Sequence, residues 1–336
     1  MSESHWLFLC RPGAERECAA ELGERAGAGY CRLDKGAGWL SWHGFAGVPA
    51  LPVFARSGWQ VQASFSDLDK NDRISQLVAL LPGRERFGRV FLEYPDTNDG
   101  RGLQRFLRGF RKALEKHLRD QQILVTDSPQ VLHLFFTDSL NGFIGVSDTA
   151  DCPWENGVPR LRLPAAAPSR SALKLEEGWL RLMSPSEQDV LIRPGQQAVD
   201  LGAAPGGWTW QLARRGLRVT AVDHGRLDRA VLDEWPVTHV SADAFTWHPH
   251  RPVDWLVCDI VDKPARTLSL MSKWLSAGWA RQALFNLKLP MARRWDTVSR
   301  LLAKLQVALP DWDIRAAQLY HDRDEVTVLA LPGPGA

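Results

Sequence analysis

The stretch Ala198-Val199-Asp200-Leu201-Gly202-Ala203-Ala204-Pro205-Gly206-Gly207-Trp208 constrains the fold of this chain more than any other. An apolar run enters a turn whose glycines permit backbone conformations, and an approach to bare backbone, that side chains forbid. A small charged ligand suits such a turn. Twenty-one residues after Gly202 a second apolar run, Leu217 to Val222, ends in Asp223, where a doubly wound sheet usually holds a ribose by its hydroxyls. A third, Thr238 to Ala242, leads to Asp243, placed to accept from an adenine amino group. Further runs end at Asp259 and Lys288 and alternate with helical patterns, and Ile314 to Tyr320 and Glu325 to Leu331 read as a closing pair of strands. The predicted fold is α/β, a mostly parallel sheet with helices on both faces.

The turn discriminates among cofactors. A dinucleotide site wants G-x-G-x-x-G opening into a helix, whereas here Pro205 removes a donor where a pyrophosphate would need one. A P-loop needs Lys followed by Ser or Thr after its last glycine, and Gly207 is followed by Trp208 and Thr209. S-adenosyl-L-methionine carries a ribose and a sulfonium but no phosphate, so Asp200 or a neighbouring carboxylate can face its amino group without repulsion. Trp208 either shapes the ligand pocket or packs the first helix turn.

Four polar residues stand where apolar elements end or begin: Lys174, Asp259, Lys288 and Glu325. Singly, each has a structural reading: a helix-face lysine, a turn former, a snorkelling strand end, a partner for Arg323. Together they suit transfer to a hydroxyl, which attacks a methyl sulfonium only if a base takes its proton. A lysine is that base only when neutral, and burial beside a second ammonium lowers the proton affinity of one amine. Asp259 and Glu325 would orient the amines, and no metal is required. An amino-directed methyltransferase would instead show Asn/Asp-Pro-Pro-aromatic where this chain has Cys258-Asp259-Ile260-Val261-Asp262-Lys263-Pro264. A 5-methylcytosine enzyme needs a thiolate just after a proline, and Cys258 lies on the strand, as a core residue would. An RNA-binding protein with a vestigial cofactor fold would be expected to lack at least one of the four.

The first half of the chain reads as α+β. Trp6 to Cys10 and Gly38 to Trp42 look like strands around a helix from Ala14 to Arg25. After a polar connection at Ser66 to Asp72, Ile74 to Leu81 looks helical and Arg89 to Glu93 a strand, while Ile123 to Thr126 and Val131 to Phe136 complete another sheet. Between them a long helix is predicted from Gly102 to Asp120. Arg101, Arg105, Arg108, Lys112, Lys116 and Arg119 recur along it at spacings of three and four, opposite Leu103, Phe106, Leu107, Phe110, Leu114 and Leu118. Only Glu115 and Asp120 interrupt the positive face, which favours nucleic acid as its partner over plain solvation. Residues 151–171 are rich in Pro and Ala and read as a linker.

At 336 residues the chain is long enough for two or three units. With 41 basic and 39 acidic residues it has no uniformly basic coat, so any nucleic-acid contact must be local. Five cysteines without C-x-x-C spacing argue against a zinc site or a disulfide framework and for a reducing cytoplasm. Met1-Ser2-Glu3-Ser4-His5 does not open a leader, and no run is long enough for a membrane span. Of fifteen tryptophans most, including Trp255, Trp274 and Trp279, fall in apolar segments and read as core.

Several of these segments carry a resemblance. They are Cys10-Arg11-Pro12-Gly13 with Glu17-Cys18-Ala19-Ala20-Glu21, Gly157-Val158-Pro159-Arg160-Leu161, Ala167-Pro168-Ser169-Arg170-Ser171, Leu173-Lys174-Leu175-Glu176-Glu177, the glycine turn, Asn286-Leu287-Lys288-Leu289-Pro290-Met291 and Leu319-Tyr320-His321-Asp322-Arg323. Over nearly its full length the chain resembles the bacterial 23S ribosomal RNA cytidine 2′-O-ribose methyltransferases of the RlmM type, relatives of the FtsJ-like enzymes with a Lys-Asp-Lys-Glu tetrad. The resemblance implies a Rossmann-like class I methyltransferase domain with a seven-stranded sheet, preceded by a ferredoxin-like subdomain and a THUMP RNA-binding domain. It divides the chain into 1–65, 66–150, a linker 151–170, and 171–336. It implies Lys288 as proton acceptor with Lys174, Asp259 and Glu325, and cofactor contacts from Ser171, Ala204, Pro205, Gly206, Gly207, Asp223, Asp243 and Asp259, to which the reading of the turn adds Gly202 and Trp208. Ala204 departs from the family, which commonly has Cys there. The expected partner is 23S ribosomal RNA, and the expected state a cytoplasmic monomer.

Overall fold

A computed structural model describes residues 4–45, 49–81, 83 and 85–333, so part of each terminal stretch read above, 1–3 and 334–336, lies outside the described residues. The chain forms two compact units, Met1–Pro159 and Arg160–Ala336.

The first unit is built on one seven-stranded sheet. Its strands are β1 (Ser4–Cys10), β2 (Gly29–Leu33), β3 (Trp39–Gly44), β4 (Ala55–Phe65), β5 (Arg89–Glu93), β6 (Gln130–Phe136) and β7 (Gly142–Asp148), in the order β2-β3-β1-β4-β7-β6-β5. The two sheets expected here are therefore one. The eleven-residue β4 pairs with β1 on one side and β7 on the other, with a register shift between Val61 and Ala63. β2, β4 and β7 were not expected. Conversely, Ile123 to Thr126 is no strand and contributes only the isolated bridge Phe87–Leu124.

Helices α1 (Glu15–Arg25), α2 (Arg73–Ala79), α3 (Asn98–Gly102) and α4 (Gln104–Asp120) complete the unit. Leu107, Leu114 and Leu118 of α4 pack with Leu77 of α2 against Val90, Leu92, Leu132 and Leu134. The opposite sheet face carries Leu7, Leu9, Trp59 and Phe135, over which Cys152 folds back.

The second unit contains α5 (Ala172–Leu182), α6 (Pro185–Leu191), β8 (Gln197–Leu201), α7 (Gly207–Arg214), β9 (Arg218–Val222), α8 (Arg229–Glu234), β10 (Val237–Val240), β11 (Val253–Cys258), α9 (Pro264–Ser276), β12 (Ala280–Lys288), α10 (Arg294–Ala308), β13 (Trp312–Ala317) and β14 (Glu325–Pro332). Its sheet runs β10-β9-β8-β11-β12-β14-β13, parallel from β10 to β12, with β14 antiparallel to both neighbours. This is the Rossmann-like architecture expected. The chain leaves β8 towards β9 and returns at β11 on the other side. That topological switch leaves a crevice outside the carboxyl ends of β8 and β11, where ligands bind in such sheets. Trp179, Trp255, Leu212, Leu284 and Leu329 anchor the core beneath it. Trp274 is buried as expected, but Trp279 is only half-buried, between His248 and Lys273.

Candidate active site

The glycine turn closes over the switch point. Gly202 has φ +75°, and a Cβ there would lie 2.4 Å from Ile260 Cγ1, so both conformation and space demand glycine. Gly206, at φ +112°, caps α7. A Cβ on Gly207 would meet Ser171 Oγ at 2.2 Å, which shows how closely the turn lies on the segment leading into α5. Trp208 is buried and donates from Nε1 to the Ser171 carbonyl at 3.0 Å. Its indole thus packs the helix start, one of the two readings the sequence left open.

Asp223 stands at the end of β9. Its Oδ2 accepts from Ala204 N at 2.9 Å and its Oδ1 from Gly225 N at 2.7 Å. The amide that a phosphate would need is therefore occupied by a carboxylate. Ala204 makes this bond through its backbone, so alanine in place of the family's cysteine leaves the bond to Asp223 unaffected. Pro205 is exposed and its carbonyl accepts from Asp228 N at 2.9 Å. Asp243 is exposed three residues past β10 and caps Phe245 N at 2.9 Å. Asp200 is buried, its Oδ2 accepting from the Thr209 hydroxyl at 2.7 Å. Burial pushes its pKa up to about 7, against the Thr209 hydrogen bonds and with the charges of Asp259 and Asp223. Acids line the ends of β8, β9, β10 and β11, a donor set that suits a cationic, phosphate-free nucleoside cofactor.

Beside this crevice the structure brings Lys174, Asp259, Lys288 and Glu325 together. Lys288 and Glu325 are directly opposed in the antiparallel β12–β14 pair, so register alone puts them side by side. Asp259 follows β11, and Lys174 reaches in from α5. Lys288 Nζ donates to Asp259 Oδ1 at 2.7 Å and to Glu325. Lys174 Nζ lies 3.3 Å from Asp259 Oδ2 and also pairs with Glu325. Each carboxylate thus serves both amines.

The proton affinity runs against expectation. Burial disfavours the Lys288 ammonium, but Asp259, then Glu325, outweigh it, and the amine sits above its ordinary pKa. A second ammonium nearby does not free a proton when two acids lie between the amines.

A supporting layer was not foreseen. Asn286 Nδ2 donates to Asp259 Oδ1 at 2.9 Å, and the Thr327 hydroxyl, its cross-strand neighbour, is 2.7 Å from Asn286 Oδ1 and 3.1 Å from Asp322 Oδ2. Burial and the Glu325 charge raise the Asp322 pKa well above that of an ordinary aspartate. Glu177, buried on α5 one turn beyond Lys174, accepts from Tyr320 N at 2.6 Å and His321 N at 3.0 Å and lies 2.6 Å from His321 Nδ1. This clamp ends β13 at Ala317, short of the Tyr320 expected, and fixes the loop that delivers Glu325. The quoted segments around Glu177 and His321 were the signal; sequence does not show that they touch. Cys258 is fully buried, and burial above all pushes its thiol up to about 12, which leaves no thiolate for attack on a base.

In the first unit, Arg105, Arg108, Lys112, Lys116 and Arg119 are exposed on α4. Arg101 is not on that helix: the chain breaks at Leu103, and Arg101 lies on α3, paired to Asp96 at 3.0 Å. Thr97 caps α3 by accepting from Gly100 N at 3.0 Å, and Gly100 lies too close to the Pro95 carbonyl for any side chain, so the five-residue α3 starts on its own cap, apart from the seventeen-residue α4. Arg119 pairs with Glu115 at 2.9 Å. Among the described residues Arg105, Arg108, Lys112 and Lys116 make no ion pair.

Three families match in order along the chain. Residues 3–49 match the RlmM ferredoxin-like domain, 72–148 the N-terminal region of ribosomal RNA large subunit methyltransferase M, and 167–287 the FtsJ-like methyltransferases, the last ending one residue before Lys288. The chain is 44% identical over 350 residues to ribosomal RNA large subunit methyltransferase M of Xanthomonas axonopodis pv. citri, covering 97% of this chain and 98% of that protein. The protein of the same name from Alkalilimnicola ehrlichii is 46% identical over 343 residues, 97% and 94% of the two chains. Among solved structures, TrmN from Thermus thermophilus aligns over 98% of this chain and 99% of its own at 14% identity and TM-score 0.35, a likeness too loose to bear on function. Similarity of this extent, over both units and across the turn and the α5 motif, makes the chain an enzyme of the ribosomal RNA large subunit methyltransferase M family.

Proposed function

We propose that this enzyme methylates the ribose 2′-hydroxyl of a cytidine in 23S ribosomal RNA, with Lys288 accepting the hydroxyl proton. Its cofactor is S-adenosyl-L-methionine and its substrate class is large-subunit ribosomal RNA, as its family implies. Bound in the crevice, the cofactor supplies a methyl group carried on positively charged sulfur. Asp223 would hold its ribose and Asp243 its adenine amino group. Asp259 sets a negative field on the methionine side, to which the buried Asp200 adds only as it ionises around pH 7, and Ser171, Gly202 and Ala204 to Gly207 form a wall with little side-chain bulk.

The observation that carries the reading is the sharing of two carboxylates by two amines, one from a helix and one from a strand, at the carboxyl end of the sheet. Lys288 must shed its proton before it takes one from a hydroxyl. Because Asp259 and Glu325 each also contact Lys174, loss of that proton leaves both acids still facing an ammonium. Asn286 and Glu177 keep Asp259 and the Glu325 loop in place meanwhile. The nucleotide and the ribose oxygen rest on the resemblance of the whole chain. The same reading takes 1–65 and 66–150 as the ferredoxin-like and THUMP parts, 151–170 as linker and 171–336 as the catalytic domain, with the α4 ridge on RNA phosphates.

Lys288→Ala is expected to slow transfer by about 10²–10⁴-fold, the range of a lost general base. Affinity for S-adenosylhomocysteine stays near that of the parent enzyme. Nucleoside mass spectrometry of RNA treated with the parent enzyme should place the added mass on ribose; mass on the base refutes the reading.

A further inference from the structure

A cluster of aromatic rings lies on the first unit's sheet face opposite its helices. α1, α2 and α4 all pack on the side of Cys10, Leu132 and Leu134. Of the other face, the part over Leu7, Leu9, Trp59 and Phe135 is sealed by Cys152. The part over β2, β3 and β1 is not. There Tyr30, His43 and His5 stand directly opposite one another on neighbouring strands. Their rings form one column: Tyr30 on His43 at 4.9 Å and 8°, His43 on His5 at 4.2 Å and 20°. Tyr30 ends the column at the edge strand, 47% exposed. Phe143 meets His5 edge-on at 5.9 Å and Trp39 at 5.5 Å.

Beside the column lies a cavity of about 470 Å³ lined by His5, His43, Trp39, Phe143, Ser41, Asp34 and Arg32, in which Ser41 Oγ and His43 Nε2 bond each other at 3.1 Å; Tyr30 is not part of its wall. The volume lies in the range of small-molecule sites. Its walls are aromatic, and its few polar groups converge. His5 Nε2 is buried with no hydrogen-bond partner among the described residues. Burial, then the charges of His43 and Arg32, lower the His5 pKa to about 4, so its ring is neutral near pH 7 and Nε2 donates or accepts according to the tautomer. Arg32 is exposed, its guanidinium 5.5 Å from the Tyr30 centroid and 3.3 Å from the Tyr30 hydroxyl.

Rings for stacking, a cation at the rim and one unspent ring nitrogen, His5 Nε2, are what an unpaired nucleotide asks for. We propose that this face binds a single-stranded segment of the RNA substrate, one base stacking at Tyr30 with its phosphate on Arg32 and the adjoining nucleotide reaching the cavity beside it. This deepens the function proposed above and rests on it for the choice of RNA. It is separate from the α4 ridge, which has charge without rings.

The test is binding of a short fluorescent single-stranded oligoadenylate and of a blunt RNA duplex to the full chain at fixed salt. Tyr30→Ala should weaken the single strand about tenfold or more and leave the duplex unchanged, because stacking is lost while phosphate contacts remain. Tyr30→Trp should restore binding, which distinguishes a stacking role from damaged folding. Equal single-strand affinity in parent and Tyr30→Ala overturns the proposal, as does failure of Tyr30→Trp to restore it. So does a change in sedimentation without a change in affinity, which would make the face a contact between two copies of the chain. Ribose methylation by the parent enzyme is scored in parallel. If that fails while Tyr30 dependence holds, the function is wrong and the site stands; if it succeeds while Tyr30→Ala binds normally, only the site falls.

Discussion

Lys288 faces two opposed demands. Its role asks for a neutral amine, yet Asp259 and Glu325 hold its proton more tightly than water holds that of a free lysine. The neutral fraction therefore rises about tenfold per pH unit well into the alkaline range, since an unperturbed lysine titrates near about 10.4. Single-turnover transfer with saturating cofactor and RNA is expected to climb with pH in the same way, without levelling below about pH 9. A plateau near neutrality would show that the working base is not this amine in its resting surroundings. Glu177 poses a different problem, because it touches no reacting group and yet joins the helix of Lys174 to the loop before Glu325. Replacing it by Gln puts an amide nitrogen against backbone donors, leaving at least one buried N–H unsatisfied at a cost of about 1–3 kcal/mol. Glu177→Gln should lower kcat while the affinity for S-adenosylhomocysteine stays constant. A fall in cofactor affinity alone would assign Glu177 to the cofactor pocket. The tetrad was legible as residue types at strand ends. Its pairing was not, because contact between Lys288 and Glu325 is a matter of register, and one residue of slip would turn them to opposite faces.

Elements were legible where a single period runs unbroken. β8, β9 and β11 are short apolar runs closed by acids, and each was found. β4 was missed because its alternation is interrupted at the shift between Val61 and Ala63, and β2 because it is an edge strand with an exposed tyrosine and arginine. The α3–α4 break was missed for the opposite reason: cations at spacings of three and four run straight across Leu103, so the pattern hides the interruption of the backbone there. What remains after the break is a shorter ridge with four cations that lack acidic partners among the described residues. Reversing two of them, Arg105→Glu with Arg108→Glu, should weaken RNA binding at every sequence and reduce the slope of log affinity against log salt by about 2, one for each lost phosphate contact. Affinity for free cofactor should not move. An unchanged salt slope would remove the ridge from the RNA interface.

At the scale of the molecule each unit has a core of its own. Leu77, Leu107, Leu114, Leu132 and Leu134 are central to one, and Trp179, Leu212, Trp255 and Leu284 to the other. The structure divides the chain between Pro159 and Arg160, inside the Pro- and Ala-rich stretch 151–171 that reads as a linker, though Cys152 from that stretch packs into the first unit. Segregated cores have a thermodynamic consequence when only one unit holds the cofactor crevice. A ligand that binds the native second unit stabilises it by mass action, about 2.7 kcal/mol at a hundred times its dissociation constant, and gives the first unit nothing directly. For a unit of 150–250 residues that corresponds to roughly 5–10 °C in Tm. Calorimetry of the full chain is therefore expected to resolve two transitions, of which saturating S-adenosylhomocysteine raises one and leaves the other in place. Tyr30→Ala, remote from the second core, should leave the ligand-induced shift at its full size. A single transition that moves as a whole with ligand would mean that the two cores melt as one cooperative body, and the α4 ridge and the tetrad would then have to be treated as one energetic unit.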